Sequence, residues 1–285
     1  MGAREARCAE MRDVLAMMSR KPAPEEERPP QTLAEVTAME SWRFDPLCIA
    51  EDDPKVSAPS DSSNKFRIKM LMRDGDRRRE TDLLIEKRYA WRGYGKLGSL
   101  EAPNQLTMNA ELFGRVYATL TVNIDSPAGL ALDKTYGAEA ARLRSQGRKL
   151  CEFGRFAVDP SARSKRLIAS LFNLLYIYSY RVKGCTDILI EINPRHRDFY
   201  EKLLEFHQLG EVKHCARVNA PAMLMHLSCA TIEARLKEIG GRWRELPDEK
   251  SIYKFAFTPE EESELIGRLD DLADQRAARL HAAHR

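Results

Sequence analysis

"LCEFGRFAVDPSARSKR", residues 150–166, carries a glutamate and an arginine inside a segment that reads as a buried strand giving way to a helix. A buried charge is costly unless it is paired or put to work. Either Glu152 and Arg155 neutralise each other, or they line a site. Side chains of a regular strand alternate between faces, so positions 152 and 155 point to opposite sides. A bulge at Gly154 adds one residue and returns them to the same side. A glycine there also fits a plain packing role.

The helix that follows is expected over 164–183, closed by Gly184, and "DILIEI" (187–192) fits a central strand. Strand, helix and strand in that order make a right-handed crossover between parallel neighbours. Upstream, "KFRIKMLM" (65–72) alternates like a strand. Residues 76–95 then read as a helix, with Leu83, Leu84, Ile85, Tyr89 and Trp91 apolar and Gly93 and Gly95 to end it. "QLTMNAEL" and "RVYATLTVNI" flank Phe113-Gly114 as a hairpin. A long insertion, 125–149, contains the helical piece "AEAARLRSQG". Downstream lie a short helix at 196–206 and a last strand pair, "GEVKHCARV" and "APAMLMHLS". This order predicts an α/β fold, a mixed central sheet with helices on both faces.

The flanks differ in character. Residues 19–31 and 51–64 are rich in Pro, Glu and Ser and cannot pack a core. "LAEVTAMESWRF" (33–44) between them suits a short helix. "EMRDVLAMM" (10–18) suits an amphipathic helix for a partner or for peripheral contact with a membrane surface. The division expected is a loosely ordered extension over 1–64, a folded domain over 65–228 and a helical C-terminal extension over 229–285. In the last, Thr258-Pro259-Glu260-Glu261 is a capping box. It opens a helix whose Leu265, Leu269 and Leu272 share one stripe, expected to pack on its own domain.

Composition narrows the classes. Of 285 residues, 46 are basic and 43 acidic, a net charge of +3, which excludes a bulk nucleic-acid binder. The six cysteines stand singly at 8, 48, 151, 185, 215 and 229, with no zinc spacing and no disulfide framework. Cys151 and Cys185 fall in apolar stretches, where a thiol behaves as a small hydrophobe. His207, His214 and His226 share no metal spacing, so no metal is expected. The N-terminus lacks the apolar core of a signal peptide. "LIASLFNLLYIYSY" (167–180) is shorter than the roughly 20 residues a membrane span needs. A cytoplasmic protein in a reducing compartment is the expectation.

The strand order, with "CEFGRFAVDP" ahead of a helix, resembles the GNAT acyltransferase superfamily. "E-x-x-R-F-A-V-D", Glu152 to Asp159, is similar to the signature strand of acyl-homoserine-lactone synthases. "INPRHRDFYEKLLEF" with "ARVNAPAMLMHL", and "GLALDKTYGAEAARLRSQGRKLCE" before the strand, resemble more closely the bacterial N-acyl amino acid synthases. The likeness spans roughly 65–228. It implies an enzyme that moves a fatty acyl group from a phosphopantetheine thioester on acyl carrier protein to the amine of a free amino acid, with no tightly bound cofactor. Two other readings stand beside it: a lactone synthase using S-adenosylmethionine, and a non-catalytic module of the same fold that binds a carrier or lipid.

On the first reading, Glu152 is the candidate base, because a carboxylate in an apolar strand has its pKa raised toward usefulness. Arg155 binds the acceptor's carboxylate or orients Glu152. The resemblance implies that Gly154 marks the acyl junction and that Tyr200 protonates the departing sulfur. Arg88, in "EKRYAW", resembles a region that closes over the acceptor in lactone synthases. Trp91, Phe153 and Phe156 are expected to contribute to the substrate site, with Trp91 also suited to ordinary core. The superfamily's pyrophosphate loop, [QR]-x-x-G-x-[GA], aligns from Arg163, but Arg166 and Ile168 occupy its small-residue positions. That departure weakens coenzyme A binding. Arg163, Ser164, Lys165 and Arg166 remain as a basic landing patch for an acidic carrier protein and its phosphopantetheine. His196 is assigned no catalytic duty.

Overall fold

In the computed structural model, residues 32–37, 65–72, 75–89, 104–162 and 164–282 are described. The order runs β1 (Thr32–Thr37), β2 (Lys65–Met70), α1 (Gly75–Tyr89), β3 (Gln105–Leu112), β4 (Arg115–Ile124), α2 (Asp133–Ser145) and β5 (Leu150–Val158). It continues with α3 (Lys165–Tyr176), β6 (Asp187–Ile192), α4 (Arg197–Leu204), β7 (His207–Gln208), β8 (Lys213–Cys215), β9 (Ala220–Ser228), α5 (Cys229–Ile239) and α6 (Pro259–Ala282). A π-helical turn, Ile177–Val182, extends α3. The strands form one sheet in the order β1-β2-β3-β4-β5-β6-β9-β7, with β8 paired to β9.

The crossover expected from the sequence is present. β5 and β6 pair in parallel on either side of α3, and the other printed pairs are antiparallel. The β3–β4 hairpin turns at Phe113 and Gly114, whose φ of 49° and 76° are the left-handed pair that a tight two-residue hairpin requires.

Strand alternation divides the core between the two faces. Ile188, Ile190 and Ile192 of β6 and Met223, Met225 and Leu227 of β9 join α3 in the larger cluster. Leu150, Leu189 and Leu224 face the other way, onto Leu132, Tyr136 and Ala140 at and in α2. Glu152 is two residues beyond Leu150, so it starts on the α2 side.

Two local expectations change. The short helix expected over 33–44 gives way at its start to β1. The open edge of β2 offers ladder hydrogen bonds to a segment carrying Thr32, Val36 and Thr37, and β-branched residues suit that surface. Leu33 and Val36 are buried there, so the sheet starts inside the segment read as the 1–64 extension. The two-residue strand β7 had no sequence signal at all. The amphipathic helix expected at 10–18 lies outside the described residues, as do Cys8 and Cys48.

The C-terminal capping box forms as expected. Thr258 N donates to Glu261 Oε2 at 2.8 Å, and Glu261 N donates to Thr258 Oγ1 at 3.3 Å. Leu265, Leu269 and Leu272 are buried in the larger core cluster. Arg268 of the same helix donates to the carbonyls of Thr32 and Leu33, tying α6 to β1.

Candidate active site

Pairing between β5 and β6 stops early. Leu150, Cys151 and Glu152 face Asp187, Ile188 and Leu189, and no later pair is made. Past that point β5 continues to Val158 and β6 to Ile192, so two parallel strands splay from a fixed root. The gap is a cavity of about 440 Å³ lined by residues of both strands. Backbone groups of β5 that face the gap have no ladder partner on β6, and Glu152 sits at its apex.

The splay coincides with a bulge. On β4, Thr119 and Thr121 oppose Ala157 and Gly154 of β5, so β5 carries one extra residue. The expected bulge is there, but its special residue is not the glycine. Arg155 holds the left-handed conformation at φ 51°, while Gly154 is absent from the positive-φ residues. Gly154 borders open space: a Cβ added there would meet nothing within 4 Å. The bulge does what the alternation argument required. Glu152 and Arg155 line the same cavity.

Glu152 and Arg155 do not form the ion pair that was the alternative reading. Glu152 is 5% exposed, and its Oε2 accepts the backbone N–H of Leu132 at 3.2 Å. Burial pushes its carboxyl up to about 7, against the pull of Arg217 and of the Leu132 N–H. Glu191, on the same face of β6, raises it further. Arg155 is also largely desolvated, and burial lowers its pKa while Asp82 opposes that shift.

Most of the candidate substrate residues converge. Glu152, Phe153, Gly154, Arg155, Phe156, Tyr200 and Arg88 all line the cavity. Tyr89 joins them and donates from its hydroxyl to the Phe156 carbonyl at 3.1 Å, which anchors α1 over the bulge. Burial pushes the Tyr200 phenol upward, so it stays protonated at neutral pH. Phe172 packs edge-on against both Phe156 and Tyr200, at 5.3 and 6.5 Å between ring centroids. Trp91 and Arg163 lie outside the described residues.

The start of α3 stands apart from the cavity. Ser164 Oγ caps the helix by accepting Leu167 N at 3.0 Å, so one of the amides a phosphate would use is already taken. Arg166 lies over the Trp243 ring at 5.4 Å, and Arg244 lies over the same ring at 4.5 Å. Burial lowers the pKa of Lys165, and Lys254 lowers it further.

Sequence reasoning missed a second charged pair. Arg217 Nη2 donates to Glu191 Oε2 at 2.6 Å, and both residues line the cavity. The argument made for Glu152 applies equally to Glu191, a carboxylate inside an isoleucine strand. Arg217 sits in the turn before β9, inside the stretch "ARVNAPAMLMHL" read for its resemblance but not for a site residue. His196, assigned no duty from sequence, is also a lining residue, as are Gln105 and Asn123, joined by a 2.8 Å hydrogen bond.

A sheet splayed at a bulge beside a buried carboxylate, with the α3 crossover behind it, is a GNAT-like acyltransferase fold. The family model "N-acyl amino acid synthase FeeM" matches residues 80–228, more than half of the chain. The chain therefore belongs to the N-acyl amino acid synthase FeeM family and is an acyltransferase. Among solved structures, it is similar to FeeM, an N-acyl amino acid synthase from uncultured soil microbes, at 29% identity and a TM-score of 0.54. That match covers 59% of this chain and 92% of FeeM. The AHL synthase LasI matches at 13% identity and a TM-score of 0.44, over 57% of this chain and 90% of its own. An acyl-CoA N-acyltransferase from Pseudomonas aeruginosa matches at 14% and 0.42, over 56% and 98%. No curated protein sequence matches. Among the described residues, no helix is long and apolar enough to cross a membrane.

Proposed function

We propose that this protein transfers a long-chain fatty acyl group from an acyl carrier protein thioester to the amine of a free amino acid, forming an amide. The observation that carries the reading is Glu152, a buried carboxylate with a pKa of about 7, at the apex of the gap between β5 and β6. A base poised near neutral pH suits proton removal from an ammonium group.

In this reading the acceptor enters as an ammonium and gives a proton to Glu152. The neutral amine attacks the thioester carbonyl carbon. Backbone amides of β5, freed where the ladder with β6 ends, receive the oxygen as it becomes negative. The C–N bond forms and the C–S bond breaks; the Tyr200 hydroxyl passes its proton to the leaving sulfur and is reprotonated by the second proton that the attacking nitrogen sheds as it becomes the amide. Arg155 holds the acceptor's carboxylate through its planar fork. Phe153 and Phe156 wall the acyl end and keep water out, and Arg88 covers the acceptor side.

Two features favour a carrier protein over coenzyme A as donor. Arg166 and Ile168 stand where a pyrophosphate loop needs small residues, and the Ser164 cap occupies an amide of that turn. The cations at 163, 165 and 166 suit an acidic partner's surface instead.

Purified protein given acyl carrier thioesters and pooled amino acids tests the reading. An N-acyl amino acid product is expected. Release of methylthioadenosine when S-adenosylmethionine is supplied would instead identify a lactone synthase. Absence of both products would leave a binding module.

A further inference from the structure

A second, apolar void adjoins the cavity. Phe153 and Phe172 line the cavity, with ring centroids 6.2 Å apart, and the same two rings line this void of about 20 Å³ behind them. That void is almost wholly apolar in its walls. Its far side is closed by Ile232 of α5 and by Ile252, Tyr253 and Ala256. All four lie beyond residue 228, outside the region that matches the synthase family.

This closure is built firmly. Tyr253 donates from its hydroxyl to the Leu204 carbonyl at 2.7 Å, and Phe257 N donates to Asn173 Oδ1 of α3 at 2.9 Å. Lys254, between them, is itself buried and donates to the carbonyls of Leu246 and Pro247, both at 2.8 Å. The turn Ile252–Phe255 is thus clamped onto α3 and α4, the two helices that carry Phe172 and Tyr200. Ile252 is 1% exposed.

We infer that the Ile232 and Ile252–Ala256 segment of the C-terminal extension is the end wall of the acyl pocket and sets the length of fatty chain the enzyme accepts. The inference rests on the acyltransferase reading above. An acyl chain whose carbonyl lies beside Glu152 runs away from the polar apex, past Phe153 and Phe172, toward the apolar void that shares those two rings with the cavity. The void as it stands has room for about one small group, since a cavity needs roughly 10–15 Å³ to hold even a water. A chain that reaches it therefore abuts Ile252 and Tyr253. Each further methylene must displace packed side chains, which costs more than burying it returns. The extension is in this way a ruler for the reaction and takes no part in its chemistry.

The test uses the full chain and a length series of saturated acyl thioesters of the carrier protein, supplied in competition and read as amide products by mass spectrometry. Ala256→Phe fills the void and Ile252→Ala enlarges it. The first variant is expected to shift the product profile toward shorter chains and the second toward longer ones. The preference between adjacent donors should change by roughly tenfold per methylene gained or lost. Opposite shifts in two variants exclude a general loss of folding as the cause. If wild type and both variants form amide with one unchanged length profile, the end-wall inference is overturned while the synthase reading stands. If wild type forms amide with no donor and no amino acid, both fall together.

Discussion

The Leu132 amide donates to the Glu152 carboxylate at 3.2 Å, so the turn that opens α2 fixes the buried acid at the root of the splayed strands. The charge of Arg217 first, and then this hydrogen bond, oppose the desolvation that raises the carboxyl to about 7. A charged acceptor amine meets an acid that can take its proton without being permanently ionised in the core.

Glu152→Gln preserves shape and removes the base. Turnover is expected to fall by roughly 10²–10⁴-fold, with binding of the carrier protein unchanged. The amide-forming rate measured against carrier affinity checks this, and an unaltered rate removes Glu152 from the chemistry.

The base must be ionised to act, so kcat/KM should rise with pH through about 7. Arg217 lowers the Glu152 pKa and Glu191 raises it. Arg217→Gln should therefore move the inflection to higher pH, and Glu191→Gln to lower pH. Stability follows the same titration. The folded carboxyl holds its proton up to about 7, whereas an unfolded one releases it near 4.5, so the folded state binds more protons between those values. Stability contributed by this group consequently declines as pH rises across that window. Denaturation at several pH values should show the decline in wild type and its loss in Glu152→Gln.

Arg155 occupies a left-handed position with a side chain that carries a Cβ. Arg155→Ala and Arg155→Gly lose the same guanidinium, but only the glycine relieves the backbone. Chemical denaturation should find the glycine variant more stable by about 1 kcal/mol. Equal stability of the two would mean the bulge imposes no such constraint in solution. Both variants should raise the KM for the acceptor amino acid.

Charge reversal at Arg163, Lys165 and Arg166 should raise the KM for the acyl carrier protein and flatten its dependence on salt. The same variant should use a free pantetheine thioester as well as wild type does, because Lys165 and Arg166 are not among the residues lining the cavity. An unchanged carrier KM at low salt would remove the landing patch.

The fold was legible where local pattern and tertiary environment agree. Ile188, Ile190 and Ile192 mark a central strand wherever it sits, and Thr258 with Glu261 announces a helix start from side-chain chemistry alone. β1 was not legible, because Leu33–Thr37 takes its structure from the open edge of β2 rather than from its own sequence. The bulge was legible as a need, from the odd spacing of 152 and 155. Its seat was not: glycine is the usual residue for a left-handed position, yet here Arg155 takes it while Gly154 borders open space.

The linear chain by itself determined which carboxylate stands in an apolar strand, which helix crosses between parallel neighbours, and what family the whole belongs to. Those follow from residue order, since alternation and capping act over a few positions. Only the tertiary structure decided that Leu132 rather than Arg155 partners Glu152, that Arg217 and Glu191 enter the same cavity, and that residues past 228 close its apolar end. These pairings join segments tens of residues apart, and burial and electrostatic neighbours exist only once the strands have splayed and the helices have packed over them.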